Sequence, residues 1–160
     1  MLTVRDARPE DAEALAAILN RIVEIGGTTA FETPFTPETF RAEVLERDDL
    51  LSCVVAEADG DAAGFQYLVW HEELGTGCTS IASFARAEPK VPGVGRALMA
   101  ATLERARAAG ATHVAAKIRA DNVPGLGFYS AMGFEDWRVD EAVPLSDGTP
   151  VDRITKRLDL

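Results

Sequence analysis

The sequence predicts a mixed α/β (α+β) domain, and three observations carry that prediction. Short runs of alternating or β-branched apolar residues recur along the chain, with stretches of helical apolar spacing between them. Two pairs of these runs are joined only by turn clusters, the pattern of antiparallel hairpins. Between Ile81 and Ile118 the order is strand, helix, strand, the right-handed crossover that joins parallel neighbours.

Leu2-Thr3-Val4-Arg5 alternates and forms the first strand. Pro9 suits a first helical position, Glu10 and Asp11 suit the positive end of the dipole, and Leu15, Ile18, Leu19 and Ile22 share one core-facing stripe. Gly26 to Phe35 then breaks the pattern with glycines, Pro34 and two aromatics, ending at Thr36-Pro37, a cap followed by a first-turn proline. Phe31 and Phe35 either staple this loop to the core or line a substrate pocket. A second short helix turns Phe40, Val44 and Leu45 inward before Asp48-Asp49 ends it. Leu50 to Ala56 and Ala63 to Trp70 form a hairpin around Asp59-Gly60-Asp61, with Tyr67 and Trp70 half-buried. His71-Glu72-Glu73 leaves that hairpin as a polar cluster, Gly75-Thr76-Gly77 turns the chain, and Thr79 to Ala85 resumes an extended pattern.

Lys90-Val91-Pro92-Gly93-Val94-Gly95-Arg96-Ala97-Leu98 comes next, a glycine-spaced basic loop running into a helical pattern that lasts to Ala109. Glycines let backbone N–H groups approach a ligand, and the first helical turn adds unpaired donors and positive dipole, so the loop reads as an anion cradle or as a plain strand-to-helix turn. Val94, Ala97, Leu98 and Ala101 share a face of the helix, Arg105 and Arg107 sit near its end, and Gly110 caps it. Thr112 to Ile118 is a strand. Asn122 opens a short helix that closes at Gly133-Phe134, and Trp137 to Val143 and Val151 to Leu158 make a last hairpin around Ser146 to Pro150.

The 160 residues, 47% of them hydrophobic, suit a single domain spanning 1–160. No membrane span or signal-peptide layout is present, so a cytoplasmic protein without a membrane partner is expected. Cys53 and Cys78 read as free thiols, and isolated His71 and His113 argue against a metal site. A net charge of -10 disfavours nucleic acid as a partner and is compatible with an amine substrate.

Lys90 to Leu98 and Asn122 to Phe134, in this element order, resemble the GCN5-related N-acetyltransferase (GNAT) superfamily over nearly the whole chain. Its Q/R-x-x-G-x-G/A loop is matched by Lys90-Val91-Pro92-Gly93-Val94-Gly95, and its Asn, helical Tyr and Gly-Phe by Asn122, Tyr129 and Gly133-Phe134. Arg5, Arg8-Pro9-Glu10-Asp11 and Phe31-Glu32-Thr33-Pro34 look most like the phosphinothricin-acetyltransferase-like branch, which acetylates amino acids and their analogues. The resemblance implies a mixed, mostly antiparallel central sheet of about seven strands with helices on both faces. It also implies an acetyl-CoA-dependent N-acetyltransferase, an acyltransferase working without metal as a homodimer, that moves acetyl directly to the primary amine of a small molecule. A protein or peptide N-acetyltransferase and a catalytically weak CoA-binding sensor are the alternatives.

Residue by residue, the resemblance gives Ser83, Phe84 and Ala85 to the pantetheine arm and thioester. Lys90, Val91, Pro92, Gly93, Val94, Gly95 and Arg96 go to the pyrophosphate, and Asn122 and Tyr129 to the opposite wall of the cofactor site. Tyr129, a phenol of reference pKa ~10, is the candidate general acid. Three positions depart from the family pattern. Lys90 replaces Gln or Arg, Pro92 removes a backbone donor, and Ser80 stands where the branch carries its glutamate base. The base candidates are therefore Glu32, in the loop with Phe31 and Phe35, and Glu72, with His71 and Glu73 beside it, while Phe31, Phe35 and Ser80 are the candidate substrate contacts.

Overall fold

The alternating runs pair into one sheet in the computed structural model, which describes residues 1–160. Its strands are β1 (Leu2–Asp6), β2 (Leu50–Ala58), β3 (Asp61–Trp70), β4 (Cys78–Ala85), β5 (His113–Arg119), β6 (Glu135–Pro144) and β7 (Pro150–Asp159), in the order β1-β2-β3-β4-β5-β7-β6. All neighbours are antiparallel except β4 and β5. This is the mixed, mostly antiparallel sheet of seven strands that the family resemblance implies.

Period-two alternation sends successive residues to opposite faces, and helices cover both. On one face α1 (Ala12–Ile25) and α2 (Pro37–Phe40) cover Val55, Phe65 and Phe84 through Leu15, Leu19 and Phe40. On the other, α3 (Val94–Ala108) and α4 (Val123–Ala131) cover Val54, Leu68 and Ile81 through Leu98, Met99 and Tyr129. Each fully buried Leu or Phe contributes about 1.5–3 kcal/mol, so these two layers hold the sheet between them.

Four local expectations shift. Pro9 heads a short 3-10 turn, Pro9–Asp11, rather than α1 itself. Asp11 does not sit free at the helix dipole, because its carboxylate accepts two hydrogen bonds of 2.8 Å from the Arg5 guanidinium. The second helix has one α-turn, capped by Thr36, whose Oγ1 accepts from the Thr39 N–H, and then widens into a π-turn over Arg41–Leu45. Tyr67 is buried rather than half-buried, stacked near Phe84 at 6.3 Å.

The parallel pair is short. Cys78, Thr79 and Ser80 face His113, Val114 and Ala115, and no pairing continues beyond them. β4 stays with β3 as far as Ala85, and β5 stays with β7 as far as Arg119. The sheet therefore forks at Ser80 and Ala115, opening toward the C-terminal ends of both strands. Gly64 on β3 seats α3 at this fork. A Cβ there would lie 2.7 Å from Val94 Cγ1 and 2.8 Å from the Phe84 carbonyl.

Candidate active site

Ser83, Phe84 and Ala85 lie on the arm of β4 beyond the fork, so their backbone edge on the β5 side has no strand partner. A buried or half-buried strand edge needs hydrogen bonds from something else. Beyond β4, Arg86 donates to the Pro89 and Ala62 carbonyls, which folds Lys90 to Gly93 back over the start of α3. The N–H groups of Val91, Gly93, Val94, Gly95 and Arg96 find no acceptor within the protein, and Pro92 has none to offer. Lys90 and Arg96 are exposed beside them and make no ion pair. This row of donors at a helix start, with two free cations, suits a phosphate or pyrophosphate.

The two motif glycines serve different ends. Gly93 has φ +83, a left-handed conformation that turns the loop into the helix. Gly95 instead makes room for a side chain, because a Cβ there would sit 2.6 Å from Phe128 Cε1. That ring packs against Tyr129 at 5.1 Å, so Gly95 couples α3 to α4.

Tyr129 is buried between Phe128 and Phe134, and its hydroxyl lies 2.7 Å from Ser83 Oγ on the open arm of β4. Ser83 Oγ in turn accepts a 2.7 Å hydrogen bond from Nε2 of Gln66, which is fully buried. Burial pushes the Tyr129 phenol up to about 12, with the Ser83 hydrogen bond working in the opposite direction. Tyr129 is thus protonated at neutral pH, with its hydroxyl beside the strand the fork exposes.

The loop between α1 and α2 is tied across the site. Asn20 holds Phe35 at both N–H and carbonyl, Asn122 donates to the Thr28 carbonyl while capping α4 through Gly125, and Arg119 donates to the Thr29 carbonyl. Phe31 and Phe35 pack edge-on at 5.4 Å, and Phe31 reaches Phe84 at 6.2 Å. The two rings both staple the loop and wall a cavity of about 340 Å³ with Tyr67, Glu43, Arg47 and Asp49. Arg47 is engaged by Asp49 through two hydrogen bonds of 2.5 and 3.0 Å.

Ser83, Phe84, Ala85, the loop from Lys90 to Arg96, Asn122, Tyr129, Phe31 and Phe35 therefore gather around the fork, with Ser80 at its vertex. Glu72 does not join them. It starts the short turn Glu72–Leu74 after β3, next to the Trp70–Thr79 pair, and the strand from Thr79 to Phe84 is about 17 Å long. The Glu32 carboxylate lies on the loop but accepts from the N–H and Oγ of Ser146 in the β6–β7 turn. Gln66 and Arg119 belong to the site without any motif to announce them. The visible signal for Gln66 is an amide in the middle of the apolar run Ala63 to Trp70.

The sequence pattern of the acetyltransferase (GNAT) family matches residues 16–134. An L-methionine sulfoximine/L-methionine sulfone acetyltransferase of Pseudomonas aeruginosa is 31% identical, over 83% of this chain and 80% of that one. Among solved structures, a ribosomal-protein-alanine N-acetyltransferase from Brucella melitensis superposes with a TM-score of 0.88 at 26% identity, covering 99% of both chains. A phosphinothricin acetyltransferase from Sinorhizobium meliloti in complex with AcCoA gives a TM-score of 0.86 at 22% identity, over 99% of this chain and 88% of that one. The forked sheet, the donor row at α3 and the match over most of its length agree: the chain belongs to the acetyltransferase (GNAT) family.

Proposed function

We propose that this acetyltransferase moves an acetyl group from acetyl-CoA to the primary amine of a small molecule, an amino acid or an analogue of one, by direct attack. The observation that carries the reading is the convergence at one fork of a free strand edge, a row of unpaired N–H donors and a buried phenol. A pyrophosphate suits the donors from Val91 to Arg96, with Lys90 and Arg96 as point charges. The pantetheine amides suit the backbone edge of Ser83 to Ala85, which receives them as an added strand. The amine enters from the side of Phe31, Phe35 and Ser80 and attacks the thioester carbonyl. The C–N bond forms, the C–S bond breaks, and the departing thiolate takes the proton of Tyr129. Glu32 is favoured over Glu72 as the base that deprotonates the incoming ammonium before attack, because it shares the loop that carries Phe31, and the proton released from nitrogen after attack restores Tyr129.

The test is release of free thiol from acetyl-CoA across amino acids, polyamines and peptides, with Tyr129→Phe alongside. The expected result is turnover with a small amine and a loss of at least about 100-fold in kcat in the variant, the usual scale of one general acid. Acetyl-CoA also raises the melting temperature where ATP and NAD at equal concentration do not. An equal thermal response to all three ligands overturns the cofactor assignment, and undiminished turnover removes Tyr129 as the acid. The likeness to the Brucella enzyme favours a second reading, a protein amine, which turnover in the peptide arm alone decides. A homodimer in the cytoplasm completes the proposal, and light scattering checks the assembly.

A further inference from the structure

We propose that Gln66 and Ser83 are positioning residues for Tyr129: the buried Gln66 amide fixes Ser83 Oγ, which holds the phenolic oxygen while its proton leaves and returns. The inference rests on the acetyl-transfer reading for its chemistry, but its geometry stands apart from it. Gln66 Nε2 to Ser83 Oγ and Ser83 Oγ to Tyr129 Oη are both 2.7 Å. Gln66 has no exposed surface, and its Oε1 has no hydrogen-bond partner. An unsatisfied buried carbonyl costs stability that a leucine or methionine in the same slot avoids, so packing alone does not account for an amide here. What the amide supplies is the N–H on Ser83.

In this proposal the chain runs from Gln66 through Ser83 to Tyr129, one of the two directions that the 2.7 Å contact between the hydroxyls allows. Ser83 Oγ accepts from Gln66, which leaves its own hydrogen to donate to Tyr129 Oη. The Tyr129 hydrogen is then free to point into the fork, toward a departing thiolate. After it transfers, the tyrosinate keeps the Ser83 hydrogen bond, and the proton returns from the ammonium formed by the attack. That support matters because nothing else near the hydroxyl stabilises a negative charge. Phe128 and Phe134 pack edge-on against the ring, and the nearby ionisable group, Tyr67, opposes ionisation.

The chain has two tyrosines, so in a Tyr67→Phe background a fluorotyrosine label reports Tyr129 alone, by fluorine NMR titration. A tri- or tetrafluorinated tyrosine, whose phenol ionises several units lower, brings the titration into a range where the fold persists. Ser83→Ala and Gln66→Met are expected to raise the Tyr129 pKa by about one to two units, the scale of a lost hydrogen bond to a charged group. Ser83→Thr, which keeps the hydroxyl, restores the native value. Unchanged titration in both Ser83→Ala and Gln66→Met overturns the proposal. The kinetic arm uses acetyl-CoA beside an aryl thioester, whose thiolate leaves without a proton. Both variants are expected to lose about tenfold or more in kcat with acetyl-CoA at unchanged KM, and little with the aryl thioester. An equal loss with both donors marks a packing defect and likewise overturns it. If the unsubstituted enzyme releases no thiol with any amine, the acetyl-transfer reading fails, while the titration still decides the Gln66–Ser83–Tyr129 chain.

Discussion

Gly95→Ala probes the joint between the two halves of the site. The added Cβ would lie 2.6 Å from Phe128 Cε1, whereas carbon atoms rest at about 3.5–4.0 Å, so the half-buried ring must move by about 1 Å. Overpacking of this kind costs about 1–3 kcal/mol. Replacing glycine within a helix returns up to about 1 kcal/mol, less in a first turn. The net expectation is a loss of about 1 kcal/mol, or about 2–4 °C in melting temperature for a chain of this length. Urea and thermal unfolding measure it. The sharper measurement is a double-mutant cycle with Phe128→Leu, which removes the obstructing ring. In that background Gly95→Ala should be neutral or stabilising, a coupling of about 1–2 kcal/mol between residues on different helices. Tyr129 is next in sequence to the displaced ring, so kcat is expected to fall in Gly95→Ala and to recover in part in the double variant. An identical effect of Gly95→Ala in both backgrounds would refute the assignment of Gly95 to packing and return it to ligand contact.

Stability at alkaline pH is expected to fall because burial pushes both Tyr129 and Cys53 up to about 12. The native state keeps these protons where the unfolded chain has lost them, so stability is intact below pH ~8.5 and declines as pH rises toward 12, by about 2–4 kcal/mol per group at the limit. Urea unfolding across that window, repeated with Tyr129→Phe and Cys53→Ala, should show a flatter decline in each variant. Lys90→Ala and Arg96→Ala are each expected to raise the acetyl-CoA KM by about three- to tenfold with kcat little changed, and added salt should shrink the difference. Steady-state kinetics at two ionic strengths tests this. Ser146→Ala removes the Oγ hydrogen bond to Glu32 while its backbone N–H stays, and so weakens the tie between the Phe31 loop and the β6–β7 turn. The expected outcome is a several-fold higher KM for the amine, faster proteolysis between Gly26 and Phe35, and an unchanged KM for acetyl-CoA.

The sequence was informative wherever a role is local. The alternation of Leu2 to Arg5, the stripe from Leu15 to Leu19 and the cap at Thr36 all depend on neighbours a few residues away, and the structure keeps them. Gly93 was legible for the same reason, since a turn into a helix needs a positive φ at that position. Gly95 looked like its twin, yet its neighbour is a ring from α4. Glu32 was legible as a carboxylate on the loop with the aromatics, but its partner was not, since it meets Ser146, which is 114 residues away in the chain. The spacing of Glu72 from the site was equally hidden, since it depends on the register of β3 against β4.

The series of strands and helices and the glycine turn into α3 were legible in the chain itself, because periodicity, capping and turn chemistry act over short stretches; the make-up of the sheet came from the family resemblance. Folding alone sets where β4 and β5 part, that Gly93 makes a turn while Gly95 makes room for Phe128, and that Gln66 reaches Tyr129 through Ser83. Those relations are distances between residues that only the closed sheet brings together, and no local pattern encodes them.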